Sequence, residues 1–303
     1  MKKCEANTTE NAIGTPTLKD AGLFYSLTVV AILVTSLIFS LVISTIGGGE
    51  EYKSQDWYLL LNYTVSGIPL FFALAVGLKV RRLSLKQNFG EVKVGVKFVV
   101  ATVLVWFGLF FGLSEANNFL IELFKKIGYV PTNVGLPSFS VWRFILLVIG
   151  VCILPAVFEE LIFRCFILKG LQSLGSVKAV LISAGLFSLY HMSPEKTLYQ
   201  FIAGCLFAVI ALRTKSVLPT IFIHFFNNLF VILNFYFLNL DFTKVVKTVL
   251  MISGLIALTV GVTMFLYKAE IKKSTEKSGK FWFYALAGVI GASVIWISGF
   301  ASW

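Results

Sequence analysis

The chain is poor in charge. Only 14% of its 303 residues are Asp, Glu, Lys or Arg, against about 25% in a typical soluble domain. Hydrophobic residues make up 57%. Together these figures exclude a soluble globular domain and a disordered chain. They also exclude a nucleic-acid binder despite the net charge of +11, because the basic residues sit in loops between apolar runs. Cysteine is scarce: Cys4, Cys152, Cys165 and Cys205. No two form a C-x-x-C pair, and three lie in apolar stretches. A disulfide framework or thiolate zinc cluster is therefore not expected, and the cysteines read as small core residues. Histidine is scarcer still, with only His191 and His224. H-E-x-x-H is absent, which excludes a thermolysin-like zinc site.

What the chain has in quantity is long apolar sequence. Nine stretches run approximately over 22–46, 57–78, 94–113, 139–163, 177–191, 198–212, 217–240, 249–267 and 281–302. At about 20 residues per crossing helix, the fold class is all-α: a polytopic membrane bundle of eight or nine transmembrane helices. The first stretch is too long for a signal-peptide core and reads as a retained span. The fifth and sixth are short, and read as tilted, buried helices or incomplete spans. Between the third and fourth stretches, Asn118 to Ile127 alternates like an amphipathic surface helix. Three regions follow: an N-terminal transmembrane region at 1–138, a central membrane region at 139–240, and C-terminal transmembrane helices at 241–303.

Lys and Arg set the orientation. If loops alternate from an inside N-terminus, inside loops carry 17 of the 26 basic residues, beginning with Lys2, Lys3 and Lys19, and outside loops carry 6. The positive-inside rule then places the N-terminus in the cytoplasm.

Ionisable groups within spans are costly, so each is a candidate for function. The fourth stretch contains Glu159, Glu160 and Arg164. Glu160 and Arg164 are four apart, share a helix face and can pair. Glu159 is turned about 100° from Glu160 and aims elsewhere. Pro155 lacks an N–H, so a carbonyl one turn earlier needs a polar partner or a water. His191 closes the fifth stretch, where Pro194 hinders continuation. In the seventh, His224 and Asn228 are four apart, and Asn227, three from His224, could substitute. A carboxylate with an imidazole can deprotonate water. A second imidazole with an amide can donate to a developing oxyanion. Two histidines with one or two carboxylates also make a candidate zinc-ligand set with an open position: Glu159, His191 and His224. The bland alternatives are a structural ion pair, an interfacial histidine and an interhelical hydrogen bond.

Glu159-Glu160-x3-Arg164, then Phe187-x3-His191, then His224-x3-Asn228, in that order on successive apolar stretches, resembles the CAAX-protease and bacteriocin-processing (Abi-type) family, which includes the type II CAAX prenyl endopeptidases. The resemblance covers roughly 139–240. The other Glu-Glu pair, Glu50-Glu51, has Gln55 in place of the arginine. The resemblance implies an intramembrane endopeptidase in which Glu159 and His191 activate water, and His224 and Asn228 stabilise the oxyanion. Glu160 and Arg164 would organise the site or hold the substrate C-terminus. Phe187 belongs to the second motif. Family members are named metalloproteases, and zinc is the candidate cofactor.

Lysine outnumbers arginine 21 to 5, which hints at a low-GC bacterial genome and a bacterial cell membrane. The expected partners are the lipid bilayer and a peptide or membrane-anchored protein substrate, with no nucleic acid. Two rivals are a non-catalytic bacteriocin-immunity or peptide-binding membrane protein, and a proton-coupled transporter. A transporter would show inverted repeats, and the sequence shows none. The acidic pair is expected near the inner end of the fourth span. The fifth is expected to stop partway, so that His191 meets the other groups within the membrane and the cavity opens to the cytoplasm.

Overall fold

The computed structural model describes residues 14–46, 50–131, 135–238, 240 and 242–300. Cys4, Lys2 and Lys3 lie outside the described residues. Among these residues the chain is helical, with one isolated antiparallel bridge, Gly90 to Ser216. Eight helices are long and apolar enough to cross a membrane. They are α1 (Leu18–Ile46), α2 (Asp56–Arg81), α3 (Val96–Lys126), α4 (Val141–Leu174), α6 (Pro194–Thr214), α7 (Leu218–Leu238), α8 (Lys244–Leu266) and α9 (Gly279–Ser298). The ninth, α5 (Ser176–Tyr190), has 15 residues. An integral membrane protein follows from these lengths and their apolar content.

α1 lies antiparallel to α2 and parallel to α9, where Gly22 meets Phe281 and Gly291 meets Leu33. α3 lies along α8, α5 along α6, and α7 against α4, each pair antiparallel. Faces left over carry apolar side chains at helical spacing, such as Val34, Leu37, Ile38 and Leu41 on α1, and Val249, Ile252 and Ile256 on α8. In a chain with this hydropathy they form the lipid-facing surface.

One end of the bundle gathers the basic loops. There α1 starts with a reciprocal cap: Thr17 N and Oγ1 both donate to Asp20 Oδ2, at 2.8 and 2.6 Å. Arg81, at the end of α2, pairs with the same carboxylate. Lys169 Nζ donates to Asn88 O, and Ser176 N donates to Lys272 O at 3.0 Å. At the opposite end Asp56 accepts from Ser138 and pairs with Arg143 at 3.1 Å, tying the start of α2 to the start of α4.

α3 and α7 each contain one π-helical segment, Gly108–Gly112 and Asn234–Leu238, and α4 contains two. α4 departs from α-helical hydrogen bonding at Val148–Ile153, just before Pro155, and again at Leu161–Leu168, just after the acidic pair. Both segments are π-helical, a geometry associated with functional sites. In the first, Leu154 N donates to Ile149 O, five residues back, so the widened turn carries the chain into Pro155. The helix also runs on to Leu174, past the end of the apolar run. Glu159 and Glu160 therefore lie at mid-helix, which corrects the expectation that they sit near its inner end.

Candidate active site

Three helices converge on Glu159 and Glu160. Both carboxylates are buried, 6% and 0% exposed, so each needs partners to offset lost hydration. Glu160 has two. Arg164 Nε donates to its Oε2 at 2.8 Å, the same-helix pair expected from the spacing. His224 Nδ1 donates to its Oε1 at 3.2 Å from α7. Arg164 is itself wedged between Phe187 and Phe207, with its guanidinium carbon 4.8 and 5.5 Å from the ring centroids. Its Nη1 donates to Gly204 O at 3.3 Å. Gly204 suits that position because a Cβ there would fall 2.9 Å from Ala184 Cα on α5. Phe187 thus covers the buried arginine and stands 5.0 Å, centroid to centroid, from the His191 ring.

Glu159 is placed differently. Its Oε1 accepts from Tyr190 OH at 3.1 Å. Its Oε2 is buried without a hydrogen-bond partner and lies 3.9 Å from His224 Nε2. That separation is too long for a direct hydrogen bond. Glu159, Tyr190 and His191 together form one wall of a cavity of about 280 Å³. Its other walls are Ile32 to Phe39 on α1 and Asn62 to Pro69 on α2.

His191 caps α5, and its Nδ1 meets Phe187 O at 2.8 Å. A carbonyl oxygen only accepts, so Nδ1 carries the proton and the neutral ring keeps its lone pair on Nε2. Met192, also on the cavity wall, takes the left-handed conformation with φ 51°. The chain then runs to the end of the bundle remote from the basic loops, where Trp296 Nε1 donates to Thr197 Oγ1 at 2.8 Å.

Asn228 makes a contact the spacing alone did not reveal. Its Nδ2 donates to Val151 O at 2.8 Å. Val151 is four residues before Pro155, so this is the carbonyl that the missing proline N–H leaves open. The neighbouring Asn227 turns away, accepting from Tyr199 OH on α6 at 2.6 Å. Glu159 and His191 thus share the cavity, His224 stands behind Glu159, and Asn228 braces α7 against α4.

The cavity lies farther from the basic loops than the sequence suggested. Counted from Asp20 and Arg81, its α1 and α2 linings are about 18–30 Å away at 1.5 Å per residue. Leu161 to Leu168, all eight buried, fill the space between the acidic pair and the basic end. The expectation of a cavity opening toward that end is corrected accordingly.

Among the described residues, no three His, Cys, Asp or Glu side chains are grouped so as to hold a metal ion. Glu159 and His224 are adjacent, but His191 does not complete a ligand set with them. The residues therefore do not fit a zinc ion in this arrangement.

Tyr190 is the site residue that sequence reasoning missed. Its only sequence signal is its place beside His191.

These features define a polytopic membrane protein with a buried Glu/His/Tyr cluster opening on an intramembrane cavity. Residues 141–230 match the family model described as type II CAAX prenyl endopeptidase Rce1-like. The match covers under a third of the chain and includes every residue of the Glu-Glu-x3-Arg, Phe-x3-His and His-x3-Asn motifs. At family level it supports a CAAX-protease-type membrane endopeptidase acting on a peptide substrate in the bilayer. Neither the curated proteins nor the solved structures contain a match to the chain.

Proposed function

We propose that the protein hydrolyses a peptide bond in a membrane-associated peptide or protein, using a water activated by Glu159 and His191. One observation carries the reading: Glu159 has one oxygen held by Tyr190 and the other buried without a partner, beside an imidazole, at the wall of a cavity. A carboxylate so placed accepts a proton from water. The water oxygen attacks the scissile carbonyl carbon. Glu159 takes its proton and passes it to the departing amine. His191 Nε2, a free acceptor in the neutral ring, orients the same water.

His224 and Asn228 stabilise the oxyanion in this scheme. His224 Nδ1 is committed to Glu160, so donation from Nε2 requires the ring to carry both protons. Asn228 has a second amide hydrogen beyond the one on Val151 O. Glu160 and Arg164 orient His224. Arg164 is 2% exposed, which favours this positioning role over contact with a substrate C-terminus. No step is routed through a metal, because the donor set does not fit one. A bacterial cell membrane, with the N-terminus in the cytoplasm, is the proposed location.

The test is cleavage of membrane-tethered peptides by the purified protein and by Glu159→Ala, with and without 1,10-phenanthroline. The expected result is cleavage by the native chain in both conditions and none by the variant. Equal cleavage by Glu159→Ala would refute the role of Glu159. Loss with the chelator, restored by zinc, would instead revive Glu159, His191 and His224 as metal ligands. Binding of peptide without cleavage would favour the immunity or peptide-binding alternative.

A further inference from the structure

A second, larger cavity lies on the other side of α7, between α3, α6 and α8. Its volume is about 580 Å³, within the range of ligand-binding clefts. Like the first, it sits in the half of the bundle remote from the basic loops, since it takes in the C-terminal half of α7 and the start of α8.

Its lining is unusual for so apolar a chain. Four asparagines face it: Asn117 and Asn118 from α3, and Asn227 and Asn234 from α7. They are held in defined ways. Tyr199 OH donates to Asn227 Oδ1 at 2.6 Å, and Leu240 N donates to Asn234 Oδ1 at 3.0 Å. Both amides are thus fixed through oxygen, leaving their NH2 groups as donors. Opposite them, Asn117 and Asn118 line the α3 wall. Phe110 and Phe230 stand edge to face at 4.4 Å and supply an apolar wall. Glu115 and Lys247 bring one charge of each sign.

We propose that this cavity binds an uncharged, extended peptide segment. The free amide donors of Asn227 and Asn234 match the C=O groups of a peptide main chain, and the aromatic wall takes an apolar side chain. Among the described residues the lining carries one charge of each sign, which gives no preference for an anion or a cation. The choice of peptide rests on the endopeptidase reading, because the cavity shares α7 with His224. The bound segment is then a part of the substrate remote from the scissile bond.

The test is a binding measurement that needs no turnover. The probe is a rhodamine-labelled pool of acetylated, amidated decapeptides built from Ser, Asn, Gly and Phe. Its anisotropy is read with the full-length protein in detergent, with Glu159→Gln, and with two variants that fill the cavity, Asn118→Trp and Leu250→Trp. Gel filtration checks the fold of each. The expected result is equal binding by the native chain and Glu159→Gln, and at least tenfold weaker binding by both cavity-filling variants. Absence of binding, unchanged binding in the folded cavity-filling variants, or binding of maltohexaose in place of the peptides would overturn the proposal. Tight peptide binding together with failure of the native chain to cleave the membrane-tethered peptides would instead overturn the endopeptidase reading and leave the cavity assignment standing.

Discussion

Removing Arg164 is the perturbation whose cost follows most directly from the structure. Arg164 and Glu160 are 1% and 0% exposed in their side chains and 2.8 Å apart. Arg164→Met keeps much of the side-chain volume between Phe187 and Phe207 but leaves Glu160 buried without its cation. Breaking a buried pair from one side costs about 3–5 kcal/mol. Against a total stability of about 5–15 kcal/mol that is a large share, and at about 1.4 kcal/mol per decade it lowers the folded-to-unfolded ratio roughly 100- to 4,000-fold. The double variant Glu160→Gln/Arg164→Met removes the stranded charge and keeps an oxygen that accepts from His224 Nδ1. It is expected to recover most of the loss, because neutral replacement of a buried pair is often close to neutral. The assay is denaturant or thermal unfolding of the three proteins in one detergent, followed by intrinsic fluorescence. A double variant as unstable as the single one would refute the reasoning. So would Arg164→Met with native stability, which would return Arg164 to a role in substrate binding.

Three further outcomes are expected. Tyr190→Phe loses one hydrogen bond to a carboxylate, worth about 1.5–3 kcal/mol, so the unfolding midpoint should drop and kcat should fall at least tenfold with KM little changed; an unchanged kcat would show that Glu159 is positioned without Tyr190. Asn228→Ala strands the Val151 carbonyl and should cost about 1–3 kcal/mol; adding Pro155→Ala, which returns an N–H to that turn, should restore detergent stability but not activity, and recovery of activity would show that Asn228 only braces the helices. Lys196→Cys at the α5–α6 turn should react with an impermeant maleimide from outside intact cells, and Lys272→Cys should not; the reverse pattern would overturn the orientation read from the loop charges.

The apolar runs were enough to place nine helices, because polar loops bound each of them. α5 and α6 were readable as short partners; they form an antiparallel pair packed at Gly204. The boundary of α4 was missed by about eleven residues, since Lys169 and Gln172 belong to a helix that continues beyond its apolar run. That error also moved the acidic pair toward one end. Within the site, the Glu160–Arg164 pair was legible because it is local to one helix. So was the need for a partner at the carbonyl before Pro155, although the spacing could not say that Asn228 supplies it. The choice between Asn227 and Asn228 depends on how α7 is rotated against α4 and α6, which only tertiary packing fixes. Tyr190 was invisible for the same reason: its hydroxyl gains meaning from a carboxylate 31 residues away.

The locality of the Glu160–Arg164 pair has a consequence for biosynthesis. A segment entering the bilayer carries each unneutralised charge at an apparent cost of about 2.5–3.5 kcal/mol at its centre. Glu160 and Arg164 are partners on one helix four residues apart, so they can neutralise each other as soon as α4 coils, before α5 or α7 has been synthesised. Glu159 has no such help. Its hydroxyl donor and its imidazole neighbour come from α5 and α7. The nascent span therefore meets the insertion machinery with one solitary carboxyl instead of three exposed ions, and the group that waits longest for its surroundings is the one proposed to do the chemistry.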